Sequence, residues 1–83
     1  MKKSLGRFVV VDAAICHGQP VFKGTRIFVS DVLNDVSRGT EWDAIIERWH
    51  GAMTKEAIAE AVELANEALM SHAGSLADEP SAG

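Results

Sequence analysis

The 83-residue sequence has one cysteine, two prolines, no tyrosine and no long apolar run. One cysteine excludes a disulfide framework within the chain, so the cytoplasm is the expected location. No run approaches the roughly 20 apolar residues that span a bilayer, and residues 8–11, which follow the basic start, are too few for an export signal. We therefore expect one small cytoplasmic domain with no membrane segment.

Charge is distributed unevenly along the chain. Residues 1–30 carry five basic side chains against Asp12, a net charge of +4, whereas residues 31–83 carry three against eleven acids, a net charge of −8. The basic part suits nucleic acid or an acidic protein surface, and the acidic part suits a basic protein such as the cleft of a nuclease. Alternatively, the two parts complement each other between subunits.

Apolar spacing and turn residues predict a β element followed by three helices. A β-branched run predicts a strand over residues 8–11, and residues 20–29 are typical of a hairpin. That strand either joins the hairpin in a sheet or pairs with its copy in a second subunit. Residues 1–72 then form one domain, and the small, polar residues 73–83 form a disordered tail.

Each helix has its own start and stop signals. Ser30 is the expected cap of the first helix, which Gly39 ends. Thr40 and Asp43 have the layout of a capping box before the second helix. Thr54 is the expected cap of the third helix, which we expect to run to about residue 71. The predicted core-facing positions are Val32, Leu33 and Val36 in the first helix, Trp42, Ile45, Ile46 and Trp49 in the second, and Ile58, Ala61, Val62, Ala65 and Leu69 in the third.

The fold class is therefore mainly α: a short N-terminal β-strand and a β-hairpin precede a three-helix bundle of the helix-turn-helix kind. Short helices with one apolar face each must pack together. The second and third helices and their link have the size of a helix-turn-helix unit.

The predicted hairpin has a basic tip. A two-residue loop that starts with Gly24 is typical of a type II′ turn, and it places Lys23 opposite Arg26. Like charges in this position cost stability unless both bind an anionic partner. The alternative is a solvated tip whose charges prevent pairing with other chains.

The segment around this tip resembles the opening motif of a family of small prokaryotic proteins, domain of unknown function 433. Gly18, Pro20 and the run Gly-Thr-Arg-Ile at 24–27 carry the resemblance, which covers residues 8–70. Phe28 stands where the family often has proline, and the last interhelical link is one residue longer. The resemblance implies a homeodomain-like helix-turn-helix fold and an antitoxin-like role, with a PIN-like nuclease toxin as partner.

Enzymatic chemistry has little support in the sequence. Cys16 and His17 are adjacent, so in an extended segment they point to opposite faces and do not form a nucleophile–base pair. His50 and His72 lack the spacing of metal ligands. We expect no catalytic residues, no metal and no cofactor.

DNA binding is the activity for which the sequence offers candidate residues. The exposed start of the third helix offers one lysine among several glutamates, which is a poor surface for phosphates. We therefore place DNA contacts mainly on the basic N-terminal part. The candidate residues are Lys2, Lys3, Arg7, Lys23, Thr25, Arg26 and Lys55.

The functional expectation is a non-catalytic, antitoxin-like, DNA-binding regulator. It would act as a homodimer on operator DNA and pair with a nuclease-type toxin. The alternative is a protein-interaction module of the same fold that binds no nucleic acid.

Overall fold

The computed structural model describes residues 2–14 and 18–78, the last four by backbone alone. A three-stranded antiparallel sheet in the order β1-β2-β3 precedes three helices, which predominate. The elements are β1 (Lys2–Ser4), β2 (Val9–Asp12), β3 (Val21–Phe22), α1 (Val29–Ser37), α2 (Trp42–Arg48) and α3 (Lys55–Asp78).

The sheet forms within the chain, so the first of the two pairings left open by the sequence is the observed one. β2 lies one residue later than predicted, and β1 was not predicted at all. A tight turn joins them, in which the backbone N–H groups of Leu5 and Gly6 both donate to the carbonyl oxygen of Val9. β2 also pairs with β3, where Val10 lies opposite Val21.

The hairpin exists, but its turn differs from the prediction. Val21 pairs with Phe28 as expected. The Thr25 N–H, however, donates to the Phe22 carbonyl at 2.9 Å, so Gly24 is the third residue of the turn, with a φ of 78°. A positive φ at that position defines a type II turn rather than the predicted type II′ turn.

This turn also changes the neighbours of Lys23. Its backbone N–H donates to the Phe8 carbonyl at 2.7 Å, which extends the ladder between β2 and β3. The predicted cross-strand pair of Lys23 and Arg26 is therefore wrong. The turn begins one residue earlier than the pattern indicated.

Only one of the three predicted helix caps is confirmed. Thr54 Oγ1 accepts a hydrogen bond from the Ala57 N–H at 3.2 Å. α1 has Phe28 rather than Ser30 at its cap position, because the helix follows the strand bridge directly. α2 has Glu41 there rather than Thr40, and neither of these two caps makes a side-chain bond.

A glycine lies just after the end of α1 and of α2. Gly39 follows the Arg38 cap of α1, with a φ of 78°. After α2, His50 and Gly51 both have positive φ, and the Gly51 N–H donates to the Ile46 carbonyl at 2.8 Å. α3 instead continues to Asp78, so helix occupies part of the predicted tail, whose residues 79–83 lie outside the described residues.

The core lies between one face of the sheet and the three helices. Val9, Phe22, Val32, Ile45 and Ile58 are its central side chains, each at most 2% exposed. The apolar positions predicted for α1 and α2 all belong to this core or pack against it. In α3 the pattern holds through Ala61, whereas Leu69 is 61% exposed and was assigned wrongly to the core.

A buried acid joins the first two helices. Asp35 is 2% exposed, and its carboxylate accepts from Arg48 Nη1 at 2.6 Å and from Trp49 Nε1 at 3.4 Å. The Thr40 N–H donates to the Asp35 carbonyl oxygen at 3.1 Å. These bonds fix the link between α1 and α2 and hence the direction in which α2 leads to α3.

Candidate nucleic-acid interface

The predicted basic residues lie in two separate grooves. The amino-end groove, about 340 Å³ in volume, lies at the start of α3 and is lined by Arg7, Phe8, Phe22, Lys23, Ala52, Met53, Thr54 and Ala57. The outer groove, about 390 Å³, lies on the sheet and is lined by Lys2, Val10, Asp12, Val21, Gly24, Thr25 and Arg26. Lys23 therefore lines the amino-end groove, and Arg26 lines the outer groove.

Two cations from the β element border the amino-end groove. Arg7 precedes β2, and its guanidinium lies 5.3 Å from the centre of the Phe8 ring. Lys23 is held in the turn after β3 by its backbone bond to Phe8. Both side chains are exposed, so they are available to an anion from solvent.

The helical side of this groove is the first turn of α3. Thr54 caps it, and the unpaired N–H groups of a helix start favour negative charge. Lys55 is the first residue of the helix, and its Nζ lies 3.1 Å from Asp43 Oδ1. Both side chains of this pair are more than half exposed, so the pair contributes little and a phosphate competes with it readily.

Glu60 has a role that the sequence did not indicate. Its carboxylate accepts from the Arg7 N–H at 2.5 Å and from the Phe8 N–H at 2.6 Å. The Glu60 carboxylate therefore binds the turn between β1 and β2 and does not face a ligand that approaches the start of α3. A Cβ at Gly6 would overlap this carboxylate, so glycine before Arg7 is the one sequence signal of the contact.

Thr25 serves the turn of the hairpin. Its hydroxyl donates to the Phe22 carbonyl at 2.8 Å and accepts from the Ile27 N–H at 3.0 Å. Both bonds are internal, so this side chain organises the tip next to Arg26.

Lys2 and Lys3 lie on opposite faces of β1. Lys2 is paired with Asp12 across the ladder and lines the outer groove with Arg26. Lys3 is paired with Val11 and lies on the other face. The structure thus divides the seven candidates by position. Arg7, Lys23 and Lys55 lie near the start of α3, Lys2, Thr25 and Arg26 lie at the outer groove, and Lys3 lines neither groove.

The helices present acids on their exposed surface. The exposed acidic residues of α2 and α3 and the cap between α1 and α2 are Glu41, Asp43, Glu47, Glu56, Glu63 and Glu67. The surface of the helices is therefore mostly acidic, and the amino-end groove is a basic site at its edge.

The remaining candidates do not form a site within the described chain. His50 and His72 are exposed, and Cys16 and His17 lie outside the described residues. Among the residues that the structure describes, no group of three or more histidine, cysteine or acidic side chains is placed to hold a metal. No helix in the described ranges is long and apolar enough to cross a membrane.

Comparison with known proteins gives one match. A family model described as "Protein of unknown function (DUF433)" matches residues 9–65, which span β2 to the middle of α3. No curated protein and no solved structure matches the chain. The matched segment contains Lys23, Thr54, Lys55 and Glu60 but not Arg7.

Proposed function

We propose that this chain, which belongs to the DUF433 family, is a non-catalytic DNA-binding regulator of the antitoxin type that acts in the cytoplasm. The family description assigns no activity, so the proposal depends on the geometry of the amino-end groove. In it, α2, the link of residues 49–54 and α3 serve as a helix-turn-helix unit of the homeodomain-like kind.

The observation that carries the proposal is the position of three cations around the start of α3. Arg7, Lys23 and Thr54 line the same groove, and Lys55 is the residue directly after Thr54. In a helix-turn-helix protein, the first residues of the motif's second helix, which is α3 in this chain, contact base edges in the major groove, while neighbouring residues contact the DNA backbone. Here Thr54 and Lys55 would face the bases, and Arg7 and Lys23 would contact phosphates.

The contact of Glu60 removes one acid from this surface, on which Glu56 of the first turn remains exposed. An acid in the second turn of α3 would repel phosphates if it faced the DNA. Its two bonds to the loop direct the carboxylate toward Arg7 and Phe8 instead, and they hold the Arg7 backbone against the helix. One side chain thus positions a cation and lowers the repulsion at the same site.

The experiment is DNA binding by the full chain, measured by fluorescence anisotropy with DNA from upstream of its own coding sequence. The variant Arg7→Gln/Lys23→Gln should bind at least about tenfold more weakly, because two phosphate contacts are lost. The matched control, Lys2→Gln/Arg26→Gln, removes the same charge from the outer groove and should bind nearly as wild type does. Equal weakening by both variants, or no binding by wild type at low salt, contradicts the proposal.

The antitoxin part of the proposal concerns the acidic surface. The exposed acids of α2 and α3 form a surface of the sign that fits the basic cleft of a PIN-like nuclease. The chain should inhibit RNA cleavage by such a nuclease encoded beside it, and Glu63→Lys/Glu67→Lys should weaken that inhibition. Full cleavage at a stoichiometric ratio contradicts this part alone.

The same acidic surface favours a second candidate, a protein-interaction module that binds no nucleic acid. That reading predicts nuclease inhibition together with the absence of salt-sensitive DNA binding. The two assays therefore separate the candidates.

A further inference from the structure

From Ala61 onward α3 carries a mostly apolar stripe, and the outer part of this stripe has no cover in the described chain. Residues 61, 64, 65, 68, 69 and 72 recur at helical spacing and so share one side of the helix. Ala61 is buried in the core, Leu64 is half-buried, and Leu69 is 61% exposed. The stripe begins in the core and continues past the edge of the domain.

The length of α3 shows how far this continuation goes. Its 24 residues span about 36 Å, and every residue from 66 to 74 is exposed. A helix segment of this length is marginal in water without packing. A second packing surface is therefore expected along the stripe.

An apolar groove runs beside the stripe on the domain itself. It has a volume of about 210 Å³ and is lined by Leu5, Val9, Pro20, Val29, Leu33, Ala61, Leu64, Ala65 and Ala68. Leu5 is 41% exposed at its rim. The groove thus offers an apolar surface against which a helix can pack, at the point where α3 extends beyond the core.

We propose that the occupant of this groove is the protruding half of α3 from a second copy of the chain, packed antiparallel. The stripe is self-complementary about the point between residues 66 and 67. In that register Ala61 lies opposite His72 of the other copy, Leu64 opposite Leu69, and Ala65 opposite Ala68. A two-fold interface requires this reciprocity, since each surface must fit its own copy.

Charge supports the same occupant. Glu63 and Glu67 lie on the side of α3 away from the stripe, so the pairing brings no acids together. In the sequence, the exposed Lys3 and Arg7 each lie two residues from Leu5, which lines the groove. A helix with exposed acids on its outer side would therefore enter the groove close to basic residues.

The dimer would also set the spacing of two DNA-contacting ends, a consequence that depends on the proposed function. Lys55 lies about 11 residues before the symmetry point, so the two starts of α3 are about 34 Å apart along the helix pair. Half-sites in successive turns of B-DNA lie about 34–36 Å apart. The antiparallel pair would thus separate the two amino-end grooves by a distance that matches one turn of the duplex.

The first test is the mass of the full chain in solution, by analytical ultracentrifugation over a concentration series without DNA. Wild type should dimerise at micromolar concentration, and Leu69→Glu should raise the dimer dissociation constant at least about tenfold. Met70→Glu is the matched control, because Met70 is 62% exposed and lies on the opposite side of the helix. A monomeric wild type, or equal effects of both variants, overturns the proposal.

The second test fixes the register. Two chains that carry Ala65→Cys or Ala68→Cys in a Cys16→Ser background are mixed and mildly oxidised. The mixed 65–68 disulfide should exceed either self-disulfide, because positions 65 and 68 lie level along the pair, whereas like positions are offset by about 4.5 Å and fit disulfide geometry less well. Predominant self-disulfides, or none of any kind, overturn the register. Since neither test contains DNA, failure here leaves the DNA-binding proposal to its own experiment.

Discussion

Replacing Glu60 with alanine should loosen the contact between α3 and the turn that joins β1 to β2. The carboxylate accepts two short bonds from backbone N–H groups, of Arg7 at 2.5 Å and of Phe8 at 2.6 Å. Hydrogen bonds to a charged group contribute about 1.5–3 kcal/mol each. The freed N–H of the exposed Arg7 regains water easily, whereas that of the half-buried Phe8 does so less completely.

The expected cost of Glu60→Ala is therefore about 2–3 kcal/mol of unfolding free energy. For a domain of this size, each kcal/mol lowers Tm by about 4–8 °C, so a Tm about 8–24 °C lower is expected. Urea unfolding followed by circular dichroism measures the free energy directly.

Glu63→Ala is the matched control, because Glu63 lies one turn later on the same helix and is exposed. Its cost should stay within about 0.5 kcal/mol. A Glu60→Ala variant as stable as Glu63→Ala would refute the contact. The reasoning from Glu60 to the position of Arg7 would then fail with it.

Two pairs of substitutions test other contacts of the fold. Arg48→Gln should cost about 2 kcal/mol of unfolding free energy, because it leaves the buried carboxylate of Asp35 with only the long bond from Trp49. Asp35→Asn should cost less, because the exposed Arg48 side chain can hydrogen-bond to water instead. Urea titrations of both variants measure the two costs, and the reverse order contradicts the argument. His50→Gly should raise the free energy of unfolding by about 0.5–1 kcal/mol, since a non-glycine residue with a φ of 58° is strained. Gly51→Ala should lower it, because a φ of 72° favours glycine. Thermal unfolding checks both variants, and a gain in stability from Gly51→Ala would refute the strain argument.

Local signals predicted the helical part of the fold well. The stripe around Ile45, the stop at Gly39 and the cap at Thr54 depend on residues within one or two turns, and all three are confirmed. The caps at Ser30 and Thr40 were wrong because backbone bonds to the preceding element decide those starts. Strand pairing at Phe28 moves the first start, and the bond of the Thr40 N–H to Asp35 moves the second.

The β element and the site were less accessible from sequence. β1 has no alternating apolar pattern, and only its ladder with β2 makes it a strand. The turn around Gly24 differs by one residue from the prediction, which is enough to separate Lys23 from Arg26. The contact of Glu60 joins residues 53 positions apart, so no local pattern predicts it.

The central claim is that Arg7 and Lys23 contact phosphates beside the start of α3. The salt dependence of binding to upstream DNA tests it most directly, because the slope of log K against log salt changes by about 0.9 for each phosphate contact. Arg7→Gln/Lys23→Gln should make this slope shallower by about 2 per bound chain, and Lys2→Gln/Arg26→Gln should leave it unchanged. An unchanged slope in the first variant, or an equal change in the second, would contradict the account.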